Sequence, residues 1–289
     1  MRIVGLSQND GTVLVAALGE DGATATVIAD VESFWADARG HLATPPGGAV
    51  VAVDAEVLVP PVRRGARVVC IGLNYQDHVN EGSHRDEQLP DFPTLFARWP
   101  ASLTTGGVDI PIPSDEDGLD WEGEVVAWVG SPLVDATPEE ALAAVVGYST
   151  FNDVTSRIAQ KRTSQWIIGK NGDRSGPLGP MVPASEVGDL RDGLTVETRV
   201  NGTVVQQSTT AHMIYGVGET LAHISRTFTI NPGDLLATGT PAGVGYARTP
   251  PWLLQPGDEV EVEVERLGTL TNRIVDNSHR RHFAQKENH

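Results

Sequence analysis

Acidic side chains crowd the segment Leu119-Asp-Trp-Glu-Gly-Glu-Val-Val-Ala-Trp-Val-Gly130, where one glycine separates Glu122 from Glu124. Read as a strand, the segment sends both carboxylates to the same face, with Cα atoms about 6.5–7 Å apart. Two like charges so placed repel unless one is protonated, paired or bridged by a cation. A third carboxylate, Asp153, falls just past the mostly apolar run Val145–Thr150, at what reads as a strand end. Three carboxylates with open positions suit a hard divalent ion such as magnesium, which keeps waters that a substrate can replace. The plainer alternative is a Glu-x-Glu pair decorating the wetted edge of an acidic protein. The lysine-free apolar run that follows makes an ordinary surface strand less comfortable.

A second cluster offers acid–base chemistry. Cys70-Ile-Gly-Leu-Asn-Tyr-Gln-Asp-His-Val-Asn-Glu-Gly82 runs from a strand into a short helical turn that Asn74 can cap, with Asp77 at its N-terminal pole. His78 and Glu81 are three apart and share a helical face. A carboxylate behind an imidazole fixes its tautomer and raises its basicity, which suits activation of water; an exposed pair on a surface turn is the alternative. The polar stretch Gly82–Glu87 makes the whole segment read as a lid. Lys170, between a short apolar run and a glycine turn, could neutralise a carboxylate or a developing enolate, or simply be a solvated loop lysine. Arg157 and Gln160 share a face if the chain after Asp153 is helical; they could bind substrate or brace the metal loop. Ala237-Thr-Gly-Thr-Pro-Ala-Gly-Val-Gly245 reads as a backbone nest with hydroxyls at Thr238 and Thr240. It lacks the Gly-Lys-Ser/Thr ending of a nucleotide-binding P-loop.

These groups need a scaffold, and the 289 residues can bury one. Residues 2–30 read as short strands broken at Asn9-Asp10-Gly11 and Glu20-Asp21-Gly22, followed by a helix over Val31 to Ala38 and a strand-like Val50 to Val59. Pro60-Pro61 marks a boundary, giving a small N-terminal α+β domain over 1–62 and a larger unit over 63–289. The larger unit is dominated by β-branched runs, with helices expected at Pro138 to Val146 and Gly218 to Ser225. Alternating Glu261, Glu263 and Glu265 predict a strand with one wetted face. The expected fold is mainly β with a few helices, a sandwich or rolled sheet; regular strand–helix alternation, the mark of a doubly wound fold, is missing.

Composition narrows the partners. Twenty-one basic against 38 acidic residues give a formal charge of −17, which repels nucleic acid and anionic membrane surfaces. The single cysteine, Cys70, permits no internal disulfide and reads as a buried small hydrophobe. An early polar N-terminus and the lack of a long apolar stretch make a cytoplasmic location the default.

Taken together, the chain resembles the fumarylacetoacetate hydrolase superfamily from about Arg67 to Asn277. The resemblance is carried by Ile71-Gly-Leu-Asn-Tyr-Gln-Asp-His78 with Glu81, Asp120-Trp-Glu-Gly-Glu124, Gly147-Tyr-Ser-Thr-Phe-Asn-Asp153 with Arg157 and Gln160, Gly169-Lys170 with Asp173, Pro177-Leu-Gly-Pro180, Asn201-Gly202, Pro232-Gly-Asp234 and Thr238–Gly245. It implies a mixed β-sandwich roll, a homodimer, and Mg2+ or Mn2+ held by Glu122, Glu124 and Asp153. His78 and Glu81 become the water-activating pair, Lys170 the cation beside the ion, and Tyr75, Arg157, Gln160 and Thr240 the substrate contacts. The leading expectation is hydrolysis of a C–C bond in a β-diketo acid such as an acylpyruvate, with an enolate leaving group. The same constellation could isomerise or hydrate an unsaturated 2-oxo acid of aromatic catabolism, or serve as an oxaloacetate decarboxylase or tautomerase. A non-catalytic binding protein on this fold is the rival from another class. Two departures stand out: Phe96-Ala-Arg-Trp99 replaces the common Phe-x-Lys, which could alter substrate choice, and Trp121 replaces a more usual tyrosine.

Overall fold

A computed structural model describes residues 1–53, 57–81 and 91–278. Its centre is a mixed six-stranded sheet, in the order Val182–Pro183, Val145–Asn152, Gly123–Val129, Leu235–Ala237, Val68–Gly72, Thr94–Arg98. Only the pairing of Leu235–Ala237 with Val68–Gly72 is parallel. The strand Gly123–Val129 is buried at every position, and its register explains why it carries no polar alternation. Val125, Ala127 and Val129 pack against Val196, Val262 and Val264 of an outer sheet. Val126 and Trp128 pack on the opposite side, against Ile3, Val15, Phe34 and Trp35. A strand covered on both faces is apolar on both faces.

The outer sheet runs Thr203–Thr209, Thr195–Val200, Glu259–Val264, Gly268–Val275, Ile110–Pro111. In Glu259–Val264 the valines are buried and Glu261 and Glu263 face partly outward, as the alternation predicts; Glu265 lies just beyond the strand end. Gly123 lets this sheet come close: a Cβ there would lie 2.3 Å from Thr198 Oγ1. The central and outer sheets form the expected β-sandwich roll.

A third sheet, of five short strands drawn from residues 2–59, packs on the far side of the centre, with Trp35 stacked on Trp128 at 5.4 Å between ring centroids. Two expectations change here. Val50 to Val59 is not one strand but two, Val50–Ala52 and Leu58–Val59, at opposite edges of this sheet. The helix over Val31 to Ala38 ends at Ala36, because Asp37 leaves helical geometry (φ −144°) and its carboxylate instead caps a second helix, Ala38–Ala43. The other helices are close to expectation: Pro138–Ala143 opens with a Thr137–Glu140 capping box, and Val217–Ser225 follows Gly216. None of the described helices is long and apolar enough to cross a membrane.

Candidate active site

The three carboxylates meet because two strands bring them there. Gly123 pairs with Asn152 and Glu124 with Phe151, so continuing the antiparallel ladder sets Glu122 opposite Asp153; the Asp153 amide donates to the Glu122 carbonyl at 2.9 Å. Directly opposed residues share a face, and Glu124 lies two positions along on that same face. Ligand oxygens of Glu122, Glu124 and Asp153 all lie within 4.8 Å of one another, and all three residues are buried.

Buried charge must be paired, and here it almost is. Lys170, from the helical turn Ile167–Lys170, places Nζ 2.5 Å from Glu122 Oε2 and 2.6 Å from Asp153 Oδ2. Arg157 grips Asp120 through Nε and Nη2, each 2.8 Å from Oδ2, and reaches Glu122 Oε1 at 2.7 Å. Arg98 donates Nε–H to Asp153, and its other donors reach Ser102 Oγ, Ser175 Oγ and the carbonyls of Val154 and Ser175. Glu124 has no cationic partner among the described residues; its one hydrogen bond is from the Gly239 amide, 2.9 Å.

The electrostatics follow this division. Burial alone would raise Glu122, but Lys170 and Arg157 overturn it and hold that carboxyl below the ordinary range. Burial, then Asp153 and Glu122, push Glu124 well above it. Lys170 pays desolvation yet stays charged, held above an ordinary lysine by Asp153 and Glu122. A cluster of hard oxygen donors with one uncompensated carboxylate fits a divalent cation: Glu122, Glu124 and Asp153 would hold it.

Beside this cluster lies a cavity of about 420 Å³, lined by Glu122, Glu124, Lys170 and His78 together with the apolar Ile71, Phe96 and Trp166. His78 Nδ1 is 2.9 Å from Glu81 Oε1. Because a carboxylate accepts, Nδ1 donates in this bond, so in the neutral ring Nε2 is the free acceptor. Glu81 is itself fixed, taking the Gly243 amide at 2.7 Å and that of Val244 at 3.4 Å.

The glycine-rich stretch after Ala237 is indeed a nest, but for the protein's own carboxylates. Gly239 serves Glu124 and Gly243 serves Glu81, while Gly245 (2.7 Å) and Tyr246 (3.0 Å) serve Asp120. One loop thereby ties the carboxylate cluster to the acid–base pair.

Other expected roles are revised. Tyr75 is not at the cavity: it is 2 % exposed within the core between the sheets, bridging to Met213. Burial, with the Glu124 charge, raises its phenol, so it stays neutral within the core. Asn74 does not cap the turn, because its amide is spent on Tyr215 and the Thr238 carbonyl. Arg157 lines the cavity, but its guanidinium is committed to Asp120, Glu122 and Gln160 Oε1, which makes it a brace. Gln160 also lines the cavity, and its carbonyl oxygen accepts from Arg157. Thr240 reaches the cavity, yet its hydroxyl donates to the Gly123 carbonyl (3.0 Å) and accepts from Gln206 (2.8 Å). Thr238 is tied to Val125. Cys70 is buried, its thiol pushed up chiefly by desolvation. The lid residues Gly82–Glu87 lie outside the described residues.

Three participants escaped the sequence. Arg98 stood out only as a departure, and its burial places it behind Asp153 rather than in the substrate's path. Asp120 was legible as part of a motif but not as the clamp on Arg157. Gln206, which accepts from the Gly123 amide and donates to Thr240, gave no signal at all.

Fold and site together define the class: a β-sandwich roll whose cavity is lined by carboxylates of a candidate metal cluster and by His78 of a histidine–glutamate pair. The model of the fumarylacetoacetate (FAA) hydrolase C-terminal family matches residues 67–275, and the chain belongs to that family. It is 37 % identical over 224 residues to the oxaloacetate tautomerase YisK of Bacillus subtilis, covering 76 % of this chain and 73 % of that one. It is similar across 96 % of its length, and all of the other chain, to a fumarylacetoacetate hydrolase structure from Exiguobacterium antarcticum, with 32 % identity and a TM-score of 0.76. A fumarylpyruvate hydrolase from Pseudomonas aeruginosa, solved with Mn2+ and pyruvate, is 32 % identical with a TM-score of 0.67, covering 78 % of this chain and 99 % of that one.

Proposed function

We propose that the protein is a divalent-metal-dependent keto–enol tautomerase of a small 2-oxo acid of the oxaloacetate type. The observation that carries this reading is a single cavity lined by His78, whose Nδ1 is engaged by Glu81, together with Lys170 and carboxylates of the cluster. The tautomerase activity named for the Bacillus relative supports this reading over the C–C hydrolysis expected from the sequence. The Mn2+ of the Pseudomonas structure supports Mg2+ or Mn2+ at Glu122, Glu124 and Asp153.

When bound, the ion supplies a Lewis-acid charge beside the 2-oxo-acid oxygens. The chain's residues do the rest. In the keto-to-enol direction His78 Nε2 takes a proton from C3, and the C3–H electron pair becomes the C2–C3 double bond. The former carbonyl pair moves to the C2 oxygen, which takes up a proton from water while His78 gives the C3 proton back to water, so the formula is unchanged and the base is regenerated. Lys170 spends two N–H donors on Glu122 and Asp153, and its third faces negative charge growing on that oxygen. Gln160 donates to the substrate from the side. The His–Glu pair was expected to favour water activation, but moving a proton between carbon and oxygen needs the same base.

C–C hydrolysis of an acylpyruvate is the second reading, favoured by the Pseudomonas relative and by a cavity roomier than a four-carbon acid needs. Decay of enol-oxaloacetate absorbance with Mg2+ or Mn2+, run beside acylpyruvates with product NMR, separates the two. His78→Ala is expected to slow the exchange about 10²-fold or more. Undiminished exchange in that variant, or acylpyruvate cleavage alone in the wild type, would reject the assignment. A homodimer belongs to the same proposal, and light scattering giving the monomer mass would remove it.

A further inference from the structure

The cations near the carboxylate cluster are nearly all spent. Arg98 spends its donors on five bonds, Arg157 is ion-paired with both Asp120 and Glu122, and Lys170 keeps one donor. Lys161 differs. In the helix Arg157–Lys161, positions 157, 160 and 161 share one face by i, i+3, i+4 spacing, and all three line the cavity. Arg157 stands at the carboxylate end, and Lys161 lies four residues on, about 6 Å along the helix axis. Among the described residues its ammonium has no carboxylate partner. It rests instead on the Tyr246 ring, 3.3 Å from the centroid, and that ring's backbone is pinned by Asp120. A cation–π contact places a charge while leaving its N–H donors free.

We infer that Lys161, seated on Tyr246, anchors a distal carboxylate and so selects 2-oxo dicarboxylic acids over monocarboxylic ones. The inference rests on the proposed 2-oxo-acid reading and specifies its substrate class. The 2-oxo-acid end occupies the Glu122, Glu124 and Lys170 side; the second acid group reaches the far end of the same helix face. Nothing else in the cavity offers an uncommitted cation among the described residues, since Ile71, Phe96 and Trp166 form an apolar wall. Charge makes such an anchor necessary, because a protein of formal charge −17 repels a dianion unless a local cation draws it in.

The test uses Mg2+-loaded wild type, Lys161→Gln and Lys161→Arg. Calorimetric Kd values for oxaloacetate and for pyruvate, which keeps the 2-oxo-acid end but lacks the distal acid, are measured beside KM and kcat for oxaloacetate. Lys161→Gln is expected to weaken oxaloacetate binding about fivefold, with the change falling on KM rather than kcat. Pyruvate affinity stays at the wild-type value, and Lys161→Arg restores most of the loss. Equal weakening of both ligands, no change for oxaloacetate, or no oxaloacetate binding to the wild type would each overturn the inference. Lys161-dependent oxaloacetate binding without turnover would instead keep the anchor and reject the tautomerase reading.

Discussion

Arg98 illustrates how a single side chain can decide whether a site exists. It is 1 % exposed, and its five bonds run to Asp153, Ser102, Val154 and Ser175. A guanidinium supplies five N–H donors in a rigid fork, whereas an ammonium supplies three from a point. Arg98→Lys therefore leaves at least two buried acceptors unmatched and lets the Asp153 carboxylate turn. Denaturant unfolding is expected to show a loss of about 1–3 kcal/mol, and the proposed tautomerase activity is expected to fall with it. An unchanged denaturation midpoint and full activity would show that Asp153 is held by Lys170 alone.

At the scale of elements, the loop 238–246 is the part that turns two half-sites into one. Its geometry is demanding at Gly243, where φ is +107° and a Cβ would lie 2.3 Å from the Val205 carbonyl. Any side chain there is strained and must push the loop off the outer sheet. Gly243→Ala is expected to release Glu81 and misorient His78, lowering kcat about tenfold or more, since a small misplacement of a catalytic group costs up to about 10²-fold. The proposed divalent-ion binding, which would rely on Glu124 and its separate tie to Gly239, is expected to survive in the same variant. Calorimetry with Mn2+ checks the second half; loss of ion binding would mean that the loop moves as one body.

The whole molecule stores the consequence of burying three carboxylates at the end of a strand pair. Three cations already neutralise most of that charge, and Glu124 is the remainder. An ion binding only the folded state stabilises it by mass action, about 2.7 kcal/mol when present at a hundred times its Kd. Adding Mn2+ is expected to raise Tm by several degrees and chelation to reverse it, as read by scanning calorimetry. Asp153→Ala is expected to abolish the increment. A Tm indifferent to both Mn2+ and chelator would argue that the cluster is a purely structural ion-pair network.

Spacing made a good part of this legible. Glu122 and Glu124 had to share a face because strand side chains alternate, and His78 and Glu81 had to meet because helix positions three apart are neighbours. The β-rich architecture was readable from runs such as Val125–Val129, bounded by Gly, Pro and Asp. What one dimension could not hold was which distant groups face one another. Asp153 joins Glu122 only through the ladder between Gly123–Val129 and Val145–Asn152, and Arg98 reaches Asp153 only because a sheet edge folds behind it. Tyr75, by its motif a substrate contact, is core because the strand before it turns that ring inward between the sheets. Local periodicity fixes the direction of a side chain relative to its own backbone; register and sheet stacking alone decide what waits in that direction.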